Sequence, residues 1–130
     1  MGLVQNEPAQ IQIQVSPEFK RSLRTLAKRY RNIRSDIQPI IDELQAGKII
    51  GNQIPGIRYT VFKVRIRNSN IQKGKSGEYR FIYYLKTSTK IILVTIYSKS
   101  DQGDITEDPT YKSRRSQMVM IFLTYGRSHS

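Results

Sequence analysis

R-Y-T-V-F-K-V-R-I-R-N-S-N-I-Q-K-G-K-S-G-E-Y-R-F-I-Y-Y-L-K-T-S-T-K-I-I-L-V-T-I-Y-S-K, residues 58–99, decides how this chain folds. It carries ten lysines and arginines and one acid, Glu78, a formal +9 against +12 for the whole chain. Its apolar residues recur with period two, the signature of strands. Over 59–67, Phe62, Val64 and Ile66 point one way, and Val61, Lys63, Arg65 and Arg67 the other. Over 79–85, Phe81, Tyr83 and Leu85 oppose Arg80, Ile82 and Tyr84. After a turn at 86–90, the strand 91–98 puts Ile92, Val94 and Ile96 on one face. Thr95 and Tyr97 share its other face with Lys99. This predicts an antiparallel meander with one face packed and the other solvated and basic. Cations this dense on strands make a folded cationic surface, most simply a site for phosphates.

Working outward, residues 1–10 read as a polar lead-in. Ile11, Ile13 and Val15 alternate with Gln12 and Gln14, a short half-buried strand. Ser16 and Pro17 pair a hydroxyl N-cap with a proline at the first helical position. Phe19, Leu23, Leu26, Ala27 and Tyr30 then form one apolar stripe, with Lys20, Arg21, Arg24, Lys28, Arg29 and Arg31 elsewhere around the helix. Ser35 and Asp36 are expected to open a second helix with Pro39 in its first turn, Ile37, Ile40, Ile41 and Leu44 as its stripe, and Gly47 just past its end. The short link at 32–34 predicts an antiparallel helix hairpin over about 17–46, covering the packed face of the sheet. Residues 47–57 are turn-rich, with Ile49, Ile50 and Ile54 expected against the core. The fold class is α+β.

The totals narrow the function. A chain of 130 residues suits one domain. It has no cysteine, which removes disulfides and thiolate metal sites and fits a reducing cytoplasm, the expected location. Residues 1–10 lack the charge and apolar core of a signal peptide, and no apolar run approaches the ~20 residues that span a bilayer. The pI near 10.2 points to an anionic partner. Beyond Lys99 the balance changes: residues 100–130 hold four basic and four acidic residues, and 118–125 is an apolar run open to several readings.

Most catalytic constellations are missing. The single histidine, His129, lies in a Ser-rich tail, so zinc sites and Ser/His/Asp or Cys/His arrangements lack their parts. The segment GKSG at 74–77 fails as a phosphate loop because Ser69 stands where the first glycine belongs and no helix follows. It reads instead as a flexible cationic loop. What remains is Lys63 and Arg65, about 7 Å apart on one strand face, with Arg80, Tyr97 and Lys99 able to approach from neighbouring strands. Converging cations can grip a scissile phosphate and stabilise a pentacoordinate transition state. Crowding also lowers a lysine's pKa, which suits it to proton transfer. The plainer reading is a set of solvated charges on an exposed sheet, and for Tyr97 a packing role.

V-F-K-V-R-I-R-N, then K-G-K-S-G-E-Y-R-F-I-Y-Y, then I-I-L-V-T-I-Y-S-K-S-D-Q-G-D-I resembles the RelE/ParE superfamily of toxins from bacterial toxin–antitoxin pairs, closest to its RelE/HigB-like branch. The resemblance covers residues 11–108 and leaves 109–130 as a divergent C-terminal segment. It implies an α+β domain of RelE type, with an N-terminal strand and an antiparallel helix hairpin packed on an antiparallel meander. It implies an mRNA interferase: an endoribonuclease that cleaves translated mRNA on the ribosome by attack of the RNA's own 2′-hydroxyl, without metal or other cofactor. Its implied partners are a cognate antitoxin, mRNA and the ribosome. Lys63 and Arg65 match the family's basic pair, Arg80 the arginine of its G-x-Y-R segment, and Lys99 its basic patch. Tyr97 is the candidate tyrosine, and Arg67, Lys73 and Lys75 are candidate RNA-binding residues. Two other readings keep part of this picture: a ParE-like gyrase-inhibiting toxin, and a non-enzymatic basic RNA-binding domain.

Overall fold

The computed structural model describes residues 10–71 and 77–99. The lead-in up to residue 9, Lys73, Lys75 and the rest of 72–76, the 108/109 boundary, the apolar run 118–125 and His129 lie outside the described residues. The elements follow in the order β1 (Gln12–Val15), α1 (Pro17–Arg29), α2 (Ile33–Gln45), β2 (Asn52–Gln53), β3 (Val61–Arg67), β4 (Glu78–Thr87) and β5 (Lys90–Ser98). The fold is α+β. Its strands form one sheet in the order β1-β5-β4-β3-β2. Strands β3, β4 and β5 make the expected antiparallel meander. β1 joins the sheet as expected but runs parallel to β5, so the sheet is mixed. β2 adds a two-residue strand within the turn-rich connection.

Ser16 couples the first helix to the sheet. Its Oγ accepts the Phe19 N–H at 3.0 Å, capping α1, and donates to the Val94 carbonyl at 2.6 Å. Its own N–H donates to Leu93 at 3.0 Å. One hydroxyl therefore satisfies an orphan helix donor and a strand carbonyl together. From this anchor the apolar stripe of α1 lies over β5, and Phe19 meets Phe81 edge-on at 5.4 Å.

Helix α2 starts at Ile33, two residues earlier than expected. Ile33 is fully buried, and helical spacing then lines it up with the buried Ile37 and Leu44. Core burial thus overrides the polar start signal. Ser35 Oγ donates instead to the Asn32 carbonyl at 2.8 Å, and Asp36 accepts the Ser69 N–H at 3.0 Å. Pro39 consequently falls in the second turn, not the first, on the exposed side. The helix ends as expected. Gly47, at φ +89°, donates to Leu44 at 3.0 Å, and Lys48 donates to Glu43 at 3.1 Å. This pairing is a Schellman motif.

β4 is the middle strand, and its residues 79–84 are buried without a break. One face packs on the helices: Tyr79, Phe81 and Tyr83 join Phe19, Leu26, Ile33, Ile37 and Leu44. The other face carries a second apolar cluster of Val61, Ile82, Tyr84, Ile92, Val94 and Tyr97. Ile54, Ile57 and Tyr59, from the connection before β3, pack against it. The face expected to be solvated and basic is therefore partly apolar. Ile50 packs in the first cluster and Ile54 against the second, but Ile49 is 59% exposed, contrary to expectation.

An irregularity in β5 changes which residues share a face. Ile82 pairs with Thr95 and Tyr83 with Leu93, leaving Val94 as an extra residue. Such a bulge breaks strict alternation. Ile92 and Val94 therefore join the second cluster with Tyr97, while Ile96 packs under the helices. The expected grouping of Ile92, Val94 and Ile96 does not hold.

Candidate functional site

On the face of the sheet away from the helices, strand register sets the candidates in rows. Arg65 on β3 pairs with Arg80 on β4, and Arg80 pairs with Tyr97 on β5. The next row holds Lys63, Ile82 and Thr95. On the other side Arg67 pairs with Glu78, and Lys99 follows directly on the end of β5. Lys63, Arg65, Arg80 and Tyr97 thus occupy one end of one sheet face, with Lys99 just beyond it and near enough for its charge to act on Glu78. Directly opposed residues have Cα atoms roughly 4.5–5.5 Å apart, so Arg65 and Arg80 are close like charges, which destabilises a sheet.

Glu78 offsets that repulsion. Its Oε1 accepts from Arg80 Nη1 at 2.8 Å. The hydrogen bond from Arg80 holds the Glu78 carboxyl below its usual range. Burial pushes the other way, and the charges of Arg80, Lys99 and Arg65 add to the lowering. The pair is unequal: the Arg80 side chain is 2% exposed and that of Glu78 39%. Arg80 Nε has no hydrogen-bond partner among the described residues.

Two expectations change, and register settles a third point. Arg80 is not a solvated surface charge; it is among the largest fully buried side chains, so its removal opens a cavity. Tyr97 is 5% exposed and packs in the second apolar cluster, even though it stands opposite Arg80. Lys63 stands opposite an isoleucine, and it is Arg65 that faces Arg80. Lys63 and Lys99 are half-buried, while Arg65 and Arg67 are exposed. Among the described residues, the lysine whose pKa is pushed down is Lys86, by desolvation first and then by Lys90. It lies six residues beyond Arg80, about 20 Å along the strand, and serves no role at this site.

Glu78 is the residue that sequence reasoning passed over. Its signal was present: it is the one acid of residues 58–99, and two positions before Arg80 means the same strand face. The start of the β3–β4 loop is also built rather than loose. Asn68, 1% exposed, accepts from Asn70 N through Oδ1 at 2.9 Å. Asn70 Oδ1 in turn accepts the Asn32 N–H at 2.8 Å. The end of β3 is thereby tied to the start of α2. Among the described residues no group of His, Asp and Glu is arranged to hold a metal ion, and no helix is long and apolar enough to cross a membrane.

Comparison of this chain with family models, with characterised proteins and with solved structures finds no match.

Proposed function

We propose that this chain is the toxin of a bacterial toxin–antitoxin pair of the RelE/ParE superfamily, acting as a ribosome-dependent endoribonuclease. The observation that carries the reading is the clustering of Lys63, Arg65 and Arg80 at one end of one sheet face, with Lys99 just past the end of β5 and near enough to act on Glu78. The reaction such a face suits is internal transesterification of RNA. The 2′-oxygen forms a bond to the adjacent phosphorus, and the bond to the 5′-oxygen breaks. The 2′-hydroxyl gives up its proton and the leaving 5′-oxygen gains one, yielding a 2′,3′-cyclic phosphate and a free 5′-hydroxyl. Arg65 and Arg80 neutralise the phosphate, and Lys63 and Lys99 stabilise the charge that builds at phosphorus. Arg67, with Lys73 and Lys75 of the adjoining loop, holds flanking phosphates. A cognate antitoxin neutralises the protein by covering this basic face or by displacing the C-terminal segment.

One observation favours a second reading, a non-enzymatic basic RNA-binding domain: Arg80 is buried and already ion-paired with Glu78. Primer extension on mRNA after induction in cells separates the two. Cuts inside translated codons support the nuclease, and their absence supports the binding domain. Single-turnover cleavage on programmed ribosomes at saturating protein then isolates the chemistry. Arg80→Met is expected to lower the rate by about 10²–10³, the usual loss when a charge aimed at a developing oxyanion is removed. A wild-type rate would remove Arg80 from the chemistry.

A further inference from the structure

The cations of α1 take no part in the face described above. The helix packs on the opposite side of the sheet, so its outer surface points away from Arg65 and Arg80. Lys20, Arg24 and Lys28 recur every four residues and form one row along that surface, with Arg21 beside them. All four are exposed. Phe19, Leu23, Leu26 and Ala27 fill the inward arc. Only one acid lies on the helix, Glu18, and it pairs with Arg21 at 2.9 Å. No carboxylate among the described residues pairs with Lys20, Arg24 or Lys28.

Like charges four residues apart destabilise a helix, and this row contains two such pairs. Folding therefore works against the row, and an external anion would relieve it. The three side chains step along the axis by about 6 Å each, covering about 12 Å on a rigid straight element. A line of evenly spaced phosphates matches that layout better than a compact anion does. The exposed Arg31 and Arg34 continue the positive field past the end of the helix.

We propose that the Lys20–Arg24–Lys28 row is a second nucleic-acid surface, which docks the phosphate backbone of folded, double-stranded RNA while the sheet face takes the strand to be cut. The choice of RNA rests on the function proposed above; the binding of a phosphate backbone does not. The protein would then hold structured RNA on one side and single-stranded RNA on the other, as docking beside a translated message requires.

The test is fluorescence anisotropy on the full chain across a salt series, with a short RNA duplex, a DNA duplex of the same sequence and anionic phospholipid vesicles. Lys20→Gln/Arg24→Gln/Lys28→Gln is compared with wild type and with Lys63→Gln/Arg65→Gln, with folding checked by circular dichroism. The helix variant is expected to weaken duplex-RNA binding roughly 30-fold near physiological salt and to flatten the log–log salt slope by about 2 to 3, since three phosphate contacts are lost. The sheet variant is expected to bind the duplex within about twofold of wild type. Equal duplex binding by the helix variant and wild type overturns the proposal. Tighter binding of vesicles or of DNA than of duplex RNA overturns the choice of RNA. Absence of mRNA cleavage with duplex binding intact would instead count against the nuclease reading alone.

Discussion

The two faces of β4 are both buried, but by different means. Toward the helices, Tyr79, Phe81 and Tyr83 are enclosed by hydrocarbon and ring edges: Tyr30 meets Tyr79 at 5.9 Å, Phe19 meets Phe81 at 5.4 Å, and Phe62 stacks on Tyr83 at 5.2 Å. On the opposite face Arg80 is as deeply buried as those rings, yet it rests on one ion pair and stands across from another arginine. Apolar burial is non-directional and tolerates many arrangements. Charge burial requires a placed partner. The helix-side face is therefore arranged for stability. The other face accepts an electrostatic cost, which the anion of the proposed function would offset.

The largest effect is expected on the helix side. Phe81→Ala should cost about 3–5 kcal/mol in urea unfolding, since it empties a site between Phe19 and Tyr83. A cost under about 2 kcal/mol would mean the two faces do not differ in this way. Arg80→Ala comes next, at about 2–3 kcal/mol, from a cavity and a Glu78 left without its partner. Arg80→Met, which fills the space and removes the buried charge, should fall within about 1 kcal/mol of wild type. If alanine and methionine cost the same, charge rather than volume is what Arg80 contributes to folding. Ser16→Ala should cost about 1–2 kcal/mol, because the helix cap and the bond to Val94 are lost together. A cost of a few tenths would show that α1 docks on the sheet through its apolar stripe alone.

The smallest effect is a pH dependence at Glu78. Its carboxyl is held below the ordinary 4.5 when folded, so the stability it adds is present above the unfolded value and lost as pH falls through the lower folded one. The stability gap between wild type and Glu78→Gln should therefore be full at neutral pH and close as pH drops below 4.5. Solvent at the partly exposed carboxylate keeps the gap small. A gap that persists unchanged in acid would mean Glu78 acts by packing, not charge.

Periodicity alone was enough to place both helices, the three meander strands and the strand before Ser16, because their apolar spacing is local and strong. The N-cap at Ser16 and the terminal glycine at Gly47 were equally legible, since both are short-range backbone chemistry. The start of α2 was not. The polar signal at Ser35 and Asp36 competes with the burial of Ile33, and burial wins. The face assignment in β5 held for Thr95, Ile96 and Tyr97 but failed for Ile92 and Val94, because a single extra residue in a bulge leaves no mark on composition.

At the site, the sequence by itself determined that Lys63 and Arg65 share a strand face, since a period of two leaves them no alternative once the strand forms. It also determined that Glu78 stands on the face of Arg80. Only the tertiary structure decided that Arg65 rather than Lys63 faces Arg80, because register depends on how the loop between β3 and β4 closes. It also decided that Arg80 and Tyr97 are buried. Ile54, Ile57 and Tyr59 come from a connection remote in sequence and pack on the cluster that includes Tyr97. Burial is a property of everything that packs on a residue, and no local pattern around Arg80 carries that information.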